Sequence, residues 1–403
     1  MKFLYFHQHF GTPKGAGGIR SYAMAQKLIA KGHSVTMVCG RGARGYTGLD
    51  GEFVNGKRYG VVDGIDVIEL DLAYSNNMGF LKRVFVFLKF AIKSIAYALK
   101  TDCDVIFATS TPLTAGIPGI LARWILRRKF VFEVRDLWPE LPREMGVITN
   151  PFILWMMGVL EFLSYKSAHR IVGLSPGIVE GIERHNIDPS CIAMIPNGCD
   201  LNIFDPGLPA WRPTSVEKDD FMAVFTGAHG KANGLDAVLD AAGVLKGKNV
   251  DDIKLVLVGD GMEKARLVRR ANDERLDNVV FLDLLPKAKL AGLMAGADVG
   301  LQVLSNVPAF YYGTSPNKFF DYISSGLPVI TNYPGWIADM VNAEKVGWAV
   351  PPEDPDAFAE ALQSAKNNRE DLISRGMRAR EMAESKFSRD KLSEQFVEFV
   401  SGV

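Results

Sequence analysis

The sequence predicts an α/β protein of two doubly wound, Rossmann-like domains facing across a cleft. Three observations lead there. Short β-rich runs alternate with longer helical ones along the whole chain, which argues parallel sheets covered on both faces. The alternation restarts after Cys191–Pro206, a stretch punctuated by prolines and Asn-Gly. Finally, 403 residues, 48% of them hydrophobic, suffice for two cores.

The first set of strands is read at Lys2–Gln8, Ser34–Gly40, Asp104–Ser110, Lys129–Arg135 and Arg170–Ser175, with helical patterns such as Gly18–Gly32 between them. The second set is read at Phe221–Gly227, Ile253–Gly261, Asn278–Asp283, Ala297–Leu304, Leu327–Asn332 and Gly347–Pro352. The tail is helical. Domains are therefore expected at 1–197 and 198–385, with a last helix at 386–403 returning to the first. In open α/β sheets ligands sit outside the carboxyl ends of the strands, so that is where chemistry is sought.

Charge and cysteine usage exclude several classes. Lys+Arg and Asp+Glu both number 46, which argues against a globally basic nucleic-acid binder. The four cysteines are scattered, with no Cys-x-x-Cys pair, so neither a zinc site nor a disulfide framework is expected, and a reducing cytosolic setting fits. The N-terminal run reads as a strand rather than a leader, and no segment is long and uncharged enough to span a bilayer.

The first glycine cluster, Gly15, Gly17 and Gly18, follows strand one and opens a helix. It suits either phosphate contact by free helix-start N–H groups or a plain βα turn. A dinucleotide site is disfavoured, because Arg20 stands where the third glycine belongs and no acid ends the second strand. Arg41 and Arg44 leave an NADP phosphate as a rival. In the second half, Phe225–Leu235 offers His229 and Lys231 as positive charge for a diphosphate, with a helix starting near Asn233. A solvated loop lysine is the plainer alternative. Gly259 and Gly261, flanking Asp260, suit close backbone passage under a nucleotide or a tight turn.

The stretch "TSPNKFFDYISSGLPVIT", Thr314–Thr331, places a lysine at a helix start, against the dipole. Ser315 is expected to cap the helix and Pro316 to fill its first position, with Asn317 and Lys318 in the first turn. Lys318 and Asp321 then form either an intrahelical pair or a site, Lys318 on a phosphate and Asp321 on a ribose diol. In the first half Asp136 closes a strand and either orients or deprotonates a hydroxyl or caps a turn beside Arg135. "DCD" at Asp102–Asp104 lies at the start of a strand, the wrong end for a metal clamp.

Lys82, Lys89, Lys93 and Lys100 fall within about 40° of one helix face, the rest being apolar and aromatic. From Gly79 to Lys129 nine basic residues stand against two acidic ones. Segments 79–100 and 117–129 are therefore read as contacts with a membrane surface, the alternative being a buried helix with one solvated stripe. Pro151–Tyr165 is read as core.

Together these residues resemble the retaining glycosyltransferases of family four, of GT-B architecture, over essentially the whole chain. "IPNGCD" is similar to that family's interdomain Pro-Asn-Gly-x-Asp, and "LVGDG" and "GLPVIT" to its second-domain landmarks. "FEVRDLWPE", "GKANGLD" and "SPNKFFDY" resemble a bacterial O-antigen and capsule subgroup that includes N-acetyl-fucosamine transferases. The resemblance implies an acceptor-binding first domain and a nucleotide-sugar-binding second one. It implies transfer, with retention, from a UDP-sugar rather than a GDP-sugar to a lipid-diphosphate-linked saccharide at the inner face of the membrane. No cofactor or metal is expected: Lys318 and helix starts neutralise the diphosphate. Two departures stand out. The family's paired acids would fall at Gly313 and Asp321, so the first is missing and the second shortened. Its usual basic residues would fall near Ala228 and Asn233, leaving Lys318, His229 and Lys231 to compensate, with Tyr311 and Tyr312 filling the space of the lost acid. Rival readings are an NADP-dependent reductase and an inactive sugar-nucleotide sensor.

Overall fold

The computed structural model describes residues 1–15, 17–42, 46–75 and 78–403. The chain divides into two units. The first comprises Met1–Asn197, Gly313–Ser315 and Asp390–Val403; the second comprises Gly198–Tyr312 and Pro316–Arg389.

The first unit carries strands β1 (Lys2–Phe6), β2 (Ser34–Gly42), β3 (Lys57–Val62), β4 (Ile65–Tyr74), β5 (Val105–Thr109), β6 (Lys129–Val134), β7 (Arg170–Gly173) and β8 (Ile192–Met194). Its helices are α1 (Arg20–Ala30), α2 (Phe80–Lys100), α3 (Ile117–Leu126), α4 (Glu140–Glu144), α5 (Pro151–Ser167) and α6 (Pro176–Glu183). The sheet order is β3-β4-β2-β1-β5-β6-β7-β8, parallel except for β3 against β4. Alternation along β1 explains the layering. Phe3 and Tyr5 enter one core with Met24 and Leu28 of α1, while Leu4 and Phe6 enter the opposite core with Phe90 and Ile120.

Three strands were not expected here. β3 and β4 form an antiparallel hairpin, turned by Asp63 and Gly64 at φ 47° and 82°. Asp-Gly is the usual residue pair for such a left-handed turn. β8 lies inside the stretch read as an interdomain connection. The core expectation for Pro151–Tyr165 is also corrected: α5 leaves Phe152, Trp155, Met156 and Phe162 exposed.

The second unit has β9 (Phe221–Thr226), β10 (Ile253–Val258), β11 (Val279–Leu282), β12 (Val299–Gln302), β13 (Val329–Thr331) and β14 (Gly347–Ala349), all parallel in the order β11-β10-β9-β12-β13-β14. Helices α7 (Asp236–Gly247), α8 (Lys264–Asp273), α9 (Lys287–Ala295), α10 (Ala309–Gly313), α11 (Asn317–Ser324), α12 (Trp336–Ala343), α13 (Pro355–Asn367) and α14 (Arg369–Lys386) follow. One face of this sheet packs Phe221, Ala223 and Phe225 against Leu239 of α7 and Phe358 of α13. The last helix, α15 (Arg389–Ser401), places Phe396 edge-on to Phe107 at 5.2 Å, and Asp390 accepts from Lys27 at 2.8 Å. No helix among the described residues is long and apolar enough to cross a membrane.

Candidate functional site

In the second unit the carboxyl ends of β9 and β10 carry two loops that interlock. Gly259 and Gly261 are required by this contact. A Cβ on Gly259 would lie 1.8 Å from the Gly227 carbonyl oxygen, and one on Gly261 would lie 2.4 Å from that of His229. The His229 amide donates to the Asp260 carbonyl at 3.0 Å, and the Glu263 amide donates to the His229 carbonyl at 2.9 Å. Gly261 thus serves the neighbouring loop first. His229 is corrected in the same way: its ring is fully buried against Phe225 and Phe281, so it supports the loop from below instead of presenting a cation at its surface. Lys231 is exposed at the loop's crest.

Lys318 sits where these loops end. Its Nζ donates to Asn233 Oδ1 at 2.5 Å and lies 4.4 Å from the centroid of Phe225. Asn233 in turn donates from Nδ2 to the Ala228 carbonyl at 2.7 Å, so one amide side chain ties the lysine to the β9 loop. Gly227 leaves room for the stem, since a Cβ there would meet Lys318 Cε at 3.3 Å. Burial pushes the ammonium's pKa down to about 7. Among the described residues no carboxylate stands within ion-pair distance of it.

The helix around Lys318 differs from the sequence reading. Pro316, not Ser315, is the N-cap, and no side chain caps the helix. Ser315 is engaged within the first unit, where its Oγ and carbonyl oxygen accept from the Asn197 amide at 2.9 Å and Nδ2 at 2.6 Å. Asn317, the first helical residue, is exposed. Lys318 and Asp321 do not pair. Asp321 sits with Asp200, Lys287 and Arg389, and burial, with Asp200 adding to it, raises its pKa to about 7 against the pull of the two cations. Arg389 holds Asp200 at 2.7 Å. The tyrosines near the missing acid are both engaged: Tyr311 donates to Asn306, and Tyr312 to Asp339 at 3.2 Å.

In the first unit, the loop before α1 turns through a Gly15 amide to Thr12 carbonyl bond at 3.0 Å; Gly17 is half-buried and Gly18 exposed. Arg20, at the position of the absent glycine, is buried. Its Nε donates to Glu133 at 2.8 Å and its fork to the carbonyls of Pro196 at 2.5 Å and Ile195 at 2.8 Å. Glu133 also accepts from Arg135 and Thr109 at 2.9 Å, and the two guanidinium groups overcome its burial to hold it at about 2. Asp136 follows at the end of β6, where burial raises its pKa against the pull of Arg135. Beyond β1, burial keeps His7 neutral and lowers His9 to about 4, with Arg135 assisting in both. Arg41 faces Asp71 at 3.7 Å, and Arg44 lies outside the described residues.

Two family models match the chain: the glycosyl transferase 4-like domain over residues 15–198 and the glycosyl transferases group 1 over 209–382. The chain belongs to the GT-B glycosyltransferases. It is 23% identical over 294 residues to the probable glycosyltransferase WbjE of Pseudomonas aeruginosa, covering 70% of each chain. It is 29% identical over 191 residues to O-antigen chain mannosyltransferase C of Escherichia coli, covering 46% of this chain and 47% of that one. Among solved structures, sucrose-phosphate synthase from Thermosynechococcus elongatus shares the fold at TM-score 0.78 and 19% identity, over 100% of this chain and 98% of that one. Anabaena HepE in complex with UDP does so at 0.69 and 17%, over the whole of both.

For this glycosyltransferase, the sequence singled out Lys318 and Asn233 separately and gave no sign of the hydrogen bond between them. Phe225 read only as a strand residue, and its ring under the ammonium carries no sequence signal. Lys287 and Arg389, which face Asp321, lie far from it in sequence and match no motif.

Proposed function

We propose that this glycosyltransferase moves a hexose or acetamidohexose from a nucleotide diphosphate, UDP more readily than GDP, to a lipid-diphosphate-linked saccharide, with retention of anomeric configuration. One observation carries this reading. Lys318 is a half-buried ammonium at the carboxyl end of β9, fixed by Asn233 and Phe225, with no carboxylate within ion-pair distance among the described residues. A buried cation favours a partner of opposite charge, and a diphosphate supplies it.

Catalysis is then chiefly stabilisation of the leaving diphosphate by Lys318 and the uncapped N–H groups at the start of α11, with no metal. Asp321 accepts from the ribose hydroxyls. The departing diphosphate takes the acceptor's proton on the face it leaves, and Asp136 orients that hydroxyl. Lys231, Asn317 and the backbone around Pro316, all in the second unit, complete the donor contacts. The UDP in the HepE complex supports the choice of nucleotide, and the O-antigen mannosyltransferase supports a surface-polysaccharide setting. The basic segments 79–100 and 117–129 hold the enzyme at the inner face of the membrane.

A thermal-shift panel of UDP-sugars, GDP-sugars and NADPH tests the reading, followed by transfer to a lipid-diphosphate saccharide. UDP-sugars are expected to raise the melting temperature in the wild type and much less in Lys318→Met. An equal shift in the variant, or a shift with NADPH alone, would overturn it.

A further inference from the structure

Helix α5 is built the wrong way round for water. Of its 17 residues only Glu161 and Lys166 are charged, a composition suited to burial or to a membrane span. At about 25 Å it falls short of the hydrocarbon thickness. Its fully buried positions are Glu161, Ser164, Tyr165 and Ser167, and Glu161 is satisfied by the Trp138 amide at 3.2 Å and the Tyr165 hydroxyl at 2.8 Å. Its exposed positions are apolar except for Lys166 near the last turn, with Phe152 and Trp155 each 63% accessible. Sequestering the polar side and presenting the aromatic one fits an outer environment that is not water.

The neighbouring helices extend this face. α3 packs between α2 and α5 and ends with Trp124 at 58% exposure, while α2 adds Leu81 and Ile92 beside the exposed Lys89 and Lys93. Neither α2 nor α3 contains an acidic residue, and the one acid of α5 is turned inward. Aromatic rings flanked by cations without anions complement acyl chains beneath anionic headgroups. A second copy of the chain fits less well, because a two-fold interface would set these cations against their own images.

We propose that α5, together with Trp124, is the element by which this enzyme enters an anionic bilayer, with α2 supplying the electrostatic attraction. The inference rests on the peripheral-membrane reading above and extends its basic and apolar contact to α5, a helix read from the sequence as core. Co-sedimentation with vesicles of phosphatidylcholine and phosphatidylglycerol tests it. The wild type is expected to bind, and a fraction of that binding to survive ~1 M salt, which screens the lysines. Phe152→Ser with Trp155→Ser, two exposed positions, is expected to lose that salt-resistant fraction at least ~tenfold. Acyl chains brominated near the headgroup are expected to quench the wild-type tryptophan fluorescence, and to quench Trp155→Phe less. Salt-resistant binding by the double variant equal to wild type would remove α5 from the bilayer while leaving the peripheral reading in place. Absence of wild-type binding to any vesicle would overturn both. Self-association that the double variant abolishes, without vesicle binding, would assign the face to a second copy instead.

Discussion

Lys318 shows how a residue's chemistry is set by its neighbours. The sequence marked it as a cation placed against a helix dipole; the structure adds a depressed pKa of about 7 from burial. The sign follows directly. In the free protein the group is part neutral near pH 7, and a bound diphosphate favours the charged form and raises its pKa. UDP binding is therefore expected to take up a proton at pH 8. Affinity is expected to be level below pH 7 and to fall as pH rises above it. Titration calorimetry at pH 8 in buffers of different ionisation heat measures the uptake, and Lys318→Met is expected to abolish it. The same substitution keeps an apolar stem over Phe225, so the fold should hold while turnover falls at least ~tenfold, about 1.4 kcal/mol of barrier. Asp321 works in the opposite sense. Its pKa is raised to about 7 from 3.8, so ionisation destabilises the folded state increasingly as pH rises through that window. Asp321→Asn is expected to raise the melting temperature of the ligand-free protein more at pH 8 than at pH 5. The two residues were legible as a pair three apart, but their separation was not. Lys318 is held by Asn233, 85 residues away, and Asp321 feels the charges of groups at 200, 287 and 389.

At the scale of elements, all six strands of the second sheet and five of the eight in the first were legible because each is a short β-branched or aromatic run between turn residues. The hairpin of β3 and β4 carried its own Asp-Gly signal and was still missed, because strand–helix alternation dominated the reading. α5 was misread for a different reason: an apolar run looks the same whether its rings meet a core or a bilayer, and only burial separates the two. The glycines of the β10 loop were recognised, but as a nucleotide seat. Their stricter cause is the contact with the β9 loop, which no local pattern announces. Gly261→Ala places a methyl group against the His229 carbonyl oxygen, a backbone atom that has little freedom to retreat. It is expected to cost ~1–3 kcal/mol of stability and to weaken UDP binding by displacing the loop that fixes Asn233. Denaturant unfolding with and without UDP separates the two effects, and a variant as stable as wild type would show that the loops are not interlocked in solution.

For the whole molecule, each sheet has its own apolar packing, and the candidate donor residues Lys231, Asn233, Lys318 and Asp321 all belong to the second unit. Anything that binds only the folded form of that unit stabilises it by mass action, by about 2.7 kcal/mol at 100 times the dissociation constant. Where calorimetry resolves two transitions, UDP is expected to raise the one belonging to the second unit and to leave the other in place. The first unit's transition can be marked independently. Phe396 reaches it from the far end of the chain and is buried against Phe107, so Phe396→Ala is expected to cost ~3–5 kcal/mol there. The lowered transition in that variant should be the one UDP does not move. Should UDP shift the transition that Phe396→Ala lowers, and only that one, the nucleotide would belong to the first unit, and the Lys318–Asn233 contact would be a structural tie with no part in donor binding.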